Sequence, residues 1–396
     1  MAIYGGGVAG LWTLARLSAA GYRCILIEKS ALGDGQTIAS QGIIHGGIKY
    51  ALTGTASSAS RAIARMPEIW RACLRGEGEI DLRGVRILSE RQWLWTAGGV
   101  AARLAGVAAS KAIRTEVARV APADRPAWLT AAPGGLGGVD VYTVDEPVLD
   151  PASLLRELAR RAEEAGGRII RGAAHPGWSD GIRAHRRILA TGAGNGPLIA
   201  EAADTLYNGK PMAPAMQLRP LHMVMARSRR PGGLPLIYGH CLGASTVPRL
   251  TITSQHDREG RTVLYIGGGL AEEGVTRSPP EQAAAARAEL RACLPWLAWD
   301  EPGEGGVEIA TLRIDRAEGR TPGGGRPDEP VVHGLGGAFI VWPTKLAFAP
   351  LVAQRILDAL DQTGVRPLDF PDPLVVPGER PPVATLPWEQ EGLAWT

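Results

Sequence analysis

Three glycines and an acid near the amino terminus have the types and spacing that hold a dinucleotide. Gly5, Gly7 and Gly10 in Ile3-Tyr4-Gly5-Gly6-Gly7-Val8-Ala9-Gly10 satisfy G-x-G-x-x-G, and Glu28 closes the next apolar run. The first glycine permits a tight turn, the second lets backbone approach a diphosphate, and the third lets helix pack close to strand. Amides at the helix start, around Val8 and Ala9, then face the phosphates, and the Glu28 carboxylate accepts from the ribose hydroxyls of an adenosine. The elements that must position these groups follow in order: a short strand, a helix from Val8 to Ala20 stopped by Gly21, and a strand Tyr22–Ile27 running into Glu28. Only four residues precede Gly5, so the first strand is shorter than usual. A bare glycine turn is the competing reading of the fingerprint alone; the ordered strand, turn, helix, stop, strand and acid favour a nucleotide. Spacing leaves FAD and NAD both open.

A chain of 396 residues suggests two or three domains with ample volume for a core. Apolar residues at 45% and charged residues at 21% are an ordinary globular balance. Net charge is +3 with the signs interspersed, so no nucleic-acid or membrane footprint is implied. Lysine is scarce (Lys29, Lys49, Lys111, Lys210 and Lys345) beside many arginines, which with abundant Ala, Gly and Pro reads as a base-composition bias. Cys24, Cys73, Cys241 and Cys293 stand singly without a C-x-x-C, so no metal site or redox dithiol is signalled and free thiols are expected. A fingerprint starting at residue 5 leaves no room for a signal peptide, and no apolar run is long enough to span a membrane. The expected compartment is the cytoplasm.

Beyond Glu28 and Lys29, the small polar run Gly33-Asp34-Gly35-Gln36-Thr37-Ile38-Ala39-Ser40-Gln41-Gly42 and the following Ile43-Ile44-His45-Gly46-Gly47-Ile48-Lys49-Tyr50 suit a loop crossing close to a cofactor. Ser57 to Arg75 reads as a helix despite Pro67. Val85–Leu88, Trp93–Trp95 and Val139–Val144 read as strands, and Val100–Ile113 as an Ala-rich helix. Asp150-Pro151 is an N-cap followed by proline at the first helical position, opening a helix that ends at Gly166-Gly167 before a strand at Arg168–Ile170. Ile188–Gly194 is a buried strand entering a glycine turn. Leu218–Ala226, Leu234–Tyr238, Leu250–Ser254 and Thr262–Gly267 have the composition of an antiparallel sheet. A helix over Pro280–Leu294, a strand over Ile309–Ile314, the glycine-rich segment Gly334–Lys345 and a last helix over Leu346–Leu360 follow. Trp388 and Trp395 in the tail are expected to dock on the body or on a second subunit.

At four places the chain resembles the flavin-dependent D-amino-acid oxidase superfamily, which holds glycine oxidase, sarcosine oxidase, L-2-hydroxyglutarate dehydrogenase and the flavin-linked glycerol-3-phosphate dehydrogenases. They are GGGVAG with Glu28, IASQGIIHGGIKY, ILATGAG, and RIDRAEG with GLGGAFIVWPTK. IIHGGIKY looks most like the members with hydroxy substrates. The resemblance implies FAD rather than NAD, and an α/β fold: a discontinuous Rossmann-like FAD-binding domain from residues 1–80, 150–205 and 330–385, a second α+β substrate domain on an antiparallel sheet from 81–149 and 206–329, and a tail over 386–396. It also implies cofactor contacts from Gly5, Gly7, Val8, Ala9, Gly10, Glu28, Lys29, Gln36, Thr37, Ser40, Gln41, Gly42, His45, Gly46, Thr191, Gly192, Arg313, Gly336, Gly337, Ala338 and Phe339. Gly334–Lys345 is expected to bring a second helix start to the flavin's pyrimidine edge, favouring negative charge on the reduced ring.

For catalysis the resemblance implies an orienting protein around a hydride-accepting flavin. His45 is a general base, a covalent attachment point or a hydrogen-bond partner of the ring. Arg313 occupies the position of the arginine that grips a substrate anion, although Ile314 follows it where a proline is usual; Arg316 is its rival. Lys345 matches a lysine that holds a carboxylate in sarcosine-oxidase-like members, and is otherwise a helix-start lysine; Lys49 is a weaker parallel. His240-Cys241, after a strand of the substrate sheet and without a motif match, reads as a base, a nucleophile, a pocket wall or, more simply, a structural pair. Arg219 and His222 fall on opposite faces of one strand, Arg219 being the one expected to face the pocket. The expected protein is an oxidoreductase acting on a small polar, anionic molecule (a 2-hydroxy acid, a glycerol phosphate or an amino acid), with oxygen or a carrier as electron acceptor. The alternatives are a flavin monooxygenase or reductase consuming NAD(P)H, and a non-catalytic FAD-binding protein. Oligomers are compatible with either.

Overall fold

Alternate residues of the first two strands divide between two apolar environments, the mark of strands buried on both sides. In the computed structural model, Ile3 and Leu26 join Leu11, Leu14, Leu158 and Ile356 on one face, while Ala2, Tyr4, Ile25 and Ile27 join Ile340 and Trp342 on the other. The structure describes residues 1–47, 58–96, 117–130, 141–173, 182–206, 215–243, 245, 247–299, 306–335, 337–367 and 376–396.

In chain order the strands are β1 (Ala2–Tyr4), β2 (Ile25–Glu28), β3 (Ile87–Ser89), β4 (Gln92–Thr96), β5 (Val117–Arg119), β6 (Val141–Val144), β7 (Val148–Leu149) and β8 (Arg168–Arg171). Next come β9 (Arg187–Leu189), β10 (Met216–Ser228), β11 (Gly239–Leu242), β12 (Leu250–His256), β13 (Thr262–Gly267), β14 (Val307–Gly319), β15 (Val331–Leu335) and β16 (Ala338–Trp342). One sheet has the order β15-β16-β9-β1-β2-β8, a second β14-β10-β13-β12-β11-β4-β6-β5, and β3 pairs with β7. In the first sheet β16, β9, β1, β2 and β8 are parallel and β15 returns antiparallel. The helices Val8–Ala19, Pro151–Glu164 and Ala349–Gln362 pack against it through the first of the two cores. The fold is thus α/β, a Rossmann-like sheet beside a second, largely antiparallel one.

Local chemistry explains most boundaries. Asp150 caps its helix by accepting from the Ala152 amide at 3.1 Å, with Pro151 first inside; such a cap contributes about 1 kcal/mol. The helix expected over 57–75 is two, Ser58–Ala64 and Met66–Leu74, because Pro67 has no amide to donate and fits only a first turn. The strand expected at Leu234–Tyr238 begins later, at Gly239. Its backbone is diverted at Ile237, whose amide and carbonyl both bond the Ser254 hydroxyl, at 2.9 and 2.8 Å. The helix expected over Val100–Ile113 lies outside the described residues, and among those described no helix is long and apolar enough to cross a membrane.

The tail docks on its own chain. Ala384 donates to Leu32, Trp388 meets the Tyr265 ring edge-on at 5.7 Å, and Thr396 exchanges two 2.9 Å backbone bonds with Ile309 at the edge of β14.

Candidate active site

The parallel strands end together, and the dinucleotide fingerprint lies on that carboxyl edge. Gly5 takes a φ of +102°, and a Cβ on Gly10 would stand 1.9 Å from the Gly5 carbonyl oxygen, so helix and turn are in contact there only because neither has a side chain. The helix starts at Val8 with Gly7 as an N-cap that makes no side-chain bond, and no acid occupies its first turn, which contains the buried Ala9. That leaves a positive helix end suited to a diphosphate. Thr37 Oγ1 accepts from the Val8 amide at 3.1 Å. Buried Glu28 ends β2, accepting from Gly6 N at 2.6 Å and Ser30 N at 3.0 Å, with Lys29 exposed beside it. Across β1, β9 runs into Thr191 and Gly192. The buried Asn195 amide bonds Leu189 O and Val341 O, tying β9 to β16. A Cβ on Gly192 would lie 3.5 Å from Gln36 Nε2, so these two residues face each other. A helix start with no acid in its first turn, a hydroxyl and a buried carboxylate on one edge fit the adenosine and diphosphate of FAD.

The closing glycine-rich segment divides differently from expectation. Ala338 and Ala2 both pair with Arg187, and Ala2 with Ile25, which sets Ala338 at the amino edge of the sheet. Gly337, with φ +93°, makes the β15–β16 turn, and Phe339 is buried in the core on the helix side. Gly337 and Ala338 therefore sit at the end opposite the fingerprint, Phe339 lies one residue inside it, level with Ile3, and Gly336 lies outside the described residues. The glycines serve a hairpin. β16 then covers about 13 Å, at roughly 3.3 Å per residue, before Trp342 reaches the carboxyl edge and donates from Nε1 to Gly192 O at 3.1 Å. Trp342–Lys345 is the part that meets the cofactor edge, leading through Leu346–Phe348 into the last helix. Thr344 holds a φ of +60°, costly for a β-branched residue. Lys345 Nζ lies 5.4 Å from the Phe348 ring centre.

Residues 36–47 run from the fingerprint to the second sheet. Ser40 Oγ accepts from the Gly42 amide, and Gln41 Nε2 donates to Thr251 O at 2.8 Å and Tyr265 O at 2.9 Å. Gly42 O accepts from Leu149 N, and Tyr265 OH donates to Ala39 O. Beyond this anchor, His45 Nδ1 lies 3.2 Å from Glu146 Oε2, and the Gly46 amide donates to Glu146 Oε1 at 2.6 Å. Gln92 Nε2 donates to the same Oε2 at 3.2 Å. Burial alone would push the Glu146 carboxyl up; the hydrogen bonds from His45 and Gly46, with the His45 and His240 imidazoles nearby, bring it below the ordinary carboxylate range. The His240 ring stacks 6.5 Å from that of His45, and its Nδ1 lies 2.9 Å from Thr251 Oγ1. Burial and the neighbouring His45 push the His240 pKa down to about 4, against the pull of Glu146. The sequence reading missed Glu146 and Gln92. The only signal, an acid before the Asp150 cap, reads as a solvated turn.

Strand parity separates the arginines. His240, Thr251 and Gly267 stand opposite one another, as do Thr253, Tyr265 and Met225. Continuing through β10 and β14, that face carries Leu312, Ile314 and Arg316 together with Arg219. Arg313 pairs with His222 on the opposite face, where its guanidinium donates to Val275 O and Arg277 O. It does not join the His45 cluster, a correction that follows from the period of two. Arg316 lies on the same face as His240, only 18% exposed in its side chain, with Glu272 at 3.7 Å. Burial and the nearby Arg219 and Arg326 push its pKa down to about 10. Arg219 is committed to Glu318, at 2.7 Å. Lys49 lies outside the described residues.

The sequence profile of the family described as FAD dependent oxidoreductase matches residues 1–341. A probable FAD-dependent oxidoreductase from Pseudomonas aeruginosa is 44% identical over 98% of this chain and 96% of its own. The crystal structure of that organism's FAD dependent oxidoreductase superposes with a TM-score of 0.79 at 39% identity, covering 98% of this chain and 96% of the other. Glycine oxidase from Geobacillus kaustophilus gives 0.62 at 16% identity, over 91% and 94% of the two chains. L-α-glycerophosphate oxidase from Mycoplasma pneumoniae, with FAD bound, gives 0.60 at 14%, again over 91% and 94%. The two distant likenesses speak for the fold; the profile and the Pseudomonas relative, agreeing with the dinucleotide edge described above, place the chain in the FAD-dependent oxidoreductase family, with FAD as its cofactor.

Proposed function

We propose that the protein oxidises a small anionic alcohol to the corresponding carbonyl compound, His45 taking the hydroxyl proton. When bound, FAD accepts the hydride at its N5. The observation carrying this reading is the contact between His45 and the buried Glu146. An ionised carboxylate only accepts, so His45 Nδ1 bears the proton and Nε2 the lone pair. An alcohol must lose its O–H proton as its C–H hydrogen leaves with two electrons, whereas a neutral amine needs no base in that step. As Nε2 takes the proton, Glu146 stabilises the imidazolium and holds the ring in place.

For the anion, Arg316 is a better candidate than Arg313. It is a mostly buried guanidinium whose nearest acid, Glu272, is 3.7 Å away, and its neighbour Arg219 already has a partner. Such a group gains most from an incoming carboxylate or phosphate. Lys345, near the start of the last helix, is a second cation for the same anion.

Anaerobic mixing of the yellow protein with glycerol phosphate, 2-hydroxy acids and amino acids of both hands tests the reading. Bleaching by a hydroxy compound, lost in His45→Ala while FAD stays bound, is expected. Bleaching by amino acids alone would overturn it. Arg316→Leu should raise the KM for the donor by roughly 10- to 100-fold, as expected for a hydrogen bond to a charged group, with Arg313→Leu near wild type; the reverse would return the anion to Arg313.

A further inference from the structure

We propose that His240 Nε2 and Gln92 Oε1 form a neutral subsite for one hydroxyl group of the substrate, separate from the hydroxyl that is oxidised. The inference rests on the alcohol reading above and narrows it to anionic molecules with at least two hydroxyls.

Both side chains belong to one sheet face. β11 and β4 pair in parallel with His240 beside Leu94, so Gln92, two residues from Leu94, projects to the same side on the adjacent strand. His240 is 4% exposed and Gln92 fully buried, yet His240 Nε2 and Gln92 Oε1 have no hydrogen-bond partner among the described residues. Buried polar atoms of this kind are uncommon in a folded chain, and two of them flank the candidate base. The orientation of Gln92 is forced. Its amide meets Glu146 Oε2, an ionised oxygen that only accepts, so the NH2 group must point there and Oε1 must point away. We assign the Thr251 hydroxyl as the donor to His240 Nδ1, 2.9 Å away, which puts the ring proton on Nε2.

One donor and one acceptor are the complement of a single hydroxyl, which both accepts and donates. An ammonium group fits less well. An ammonium carries only donors and no lone pair, so one N–H would be set against the donor at His240 Nε2. An anion would face the Glu146 charge itself. With its proton given to Gln92 Oε1, this hydroxyl has none left for His45, so the group bound here is not the one that reacts.

The test uses FAD-loaded protein and matched compounds differing by one hydroxyl. Glycerate against lactate, and glycerol 3-phosphate against propane-1,2-diol 1-phosphate, are compared by anaerobic bleaching. Hydroxypyruvate against pyruvate is compared by flavin absorbance titration and melting-temperature shift, without turnover. The compound with the extra hydroxyl should be favoured by about 10- to 100-fold, the range set by one hydrogen bond plus the relief of unpaired groups. In His240→Phe or Gln92→Met that ratio should fall towards one, a change of selectivity that a general loss of structure does not produce. Equal use of both members by wild type would mean that the two atoms hold water only, sinking this subsite while leaving His45 as base. A preference for isoserine over glycerate would make it an ammonium site and overturn the proposal. Bleaching by amino acids but by no hydroxy compound would instead remove the alcohol reading on which it rests.

Discussion

One face of the eight-stranded sheet carries two kinds of surface. Over β4, β11 and β12 it presents Gln92, His240, Thr251 and Thr253, all buried, beneath His45 and Glu146. Over β13, β10 and β14 it presents Tyr265, Met223, Met225, Ala310, Leu312 and Ile314, covered by Leu386, Trp388, Leu393 and Trp395 of the tail. The two halves share one backbone framework and similar burial. The apolar half is satisfied by its own chain, ring on ring, with the Trp388 indole N–H as its unpaired group among the described residues. The polar half leaves atoms without partners and holds His240 neutral and Glu146 charged. A sheet spends the first kind of surface on stability and keeps the second for a ligand.

Substitutions should therefore separate the halves. His45→Ala, in the polar half, should slow reduction of bound FAD by the alcohol donor about 10²- to 10⁴-fold, the usual worth of a positioned base, with little change in melting temperature. Anaerobic stopped-flow measures the first quantity, and a normal rate would leave His45 as a structural residue. Trp388→Ala should do the opposite: a loss of roughly 3–5 kcal/mol in urea denaturation, typical of a buried tryptophan, with the reduction rate unchanged below the transition. If the rate fell while stability held, the tail would belong to the site.

What the sequence made legible was whatever is encoded within a short span. The fingerprint, the helix after it and Glu28 form one βαβ unit, and each residue's role follows from its neighbours. The cap at Asp150 is local in the same way. Glu146 and Gln92 were hidden because their meaning depends on residues far along the chain: His45 is 101 positions from Glu146, and Gln92 is 54. Arg313 and Arg316 differ in parity, but both strand faces there mix polar and apolar residues, so nothing local says which parity meets the cofactor. The run at Gly334–Gly337 suits a hairpin turn as well as a cofactor turn, and only the register of β16 against β9 decides.

Acid should expose the same contrast on a smaller scale. The His240 pKa is near 4 in the folded chain, against about 6.5 when unfolded. Between those values the unfolded state binds a proton that the folded state refuses, so stability falls as pH falls, by up to about 3 kcal/mol. Glu146 acts in the same direction: its depressed carboxyl contributes stability above the unfolded carboxylate pKa, and this is lost as pH drops through the folded value. Denaturation midpoints of wild type and His240→Gln between pH 7 and about 4 should converge at the acid end, since the variant lacks the histidine that resists protonation. Parallel curves would mean that the ring is protonated without cost.

The smallest effect is expected at the rim of the apolar half. The Arg227 guanidinium lies 3.8 Å from the centre of a Trp395 ring, beside the partly buried Glu308 and the largely covered side chain of Asp257 that also engage it. Because Arg227 keeps both carboxylates when the ring is removed, Trp395→Leu should cost only the cation–π contribution and a little packing, about 0.5–1 kcal/mol at such a partly exposed site. Arg227→Met removes the cation but leaves Asp257 and Glu308 without it, and should cost more than Trp395→Leu. A double-mutant cycle in urea isolates the ring–guanidinium coupling from those losses. A coupling near zero would mean that the tail is held by its other contacts, Trp388, the Thr396–Ile309 pairing and the Arg258–Glu389 ion pair among them, with Trp395 as cover; a coupling well above 1 kcal/mol would make the rim part of the core it borders.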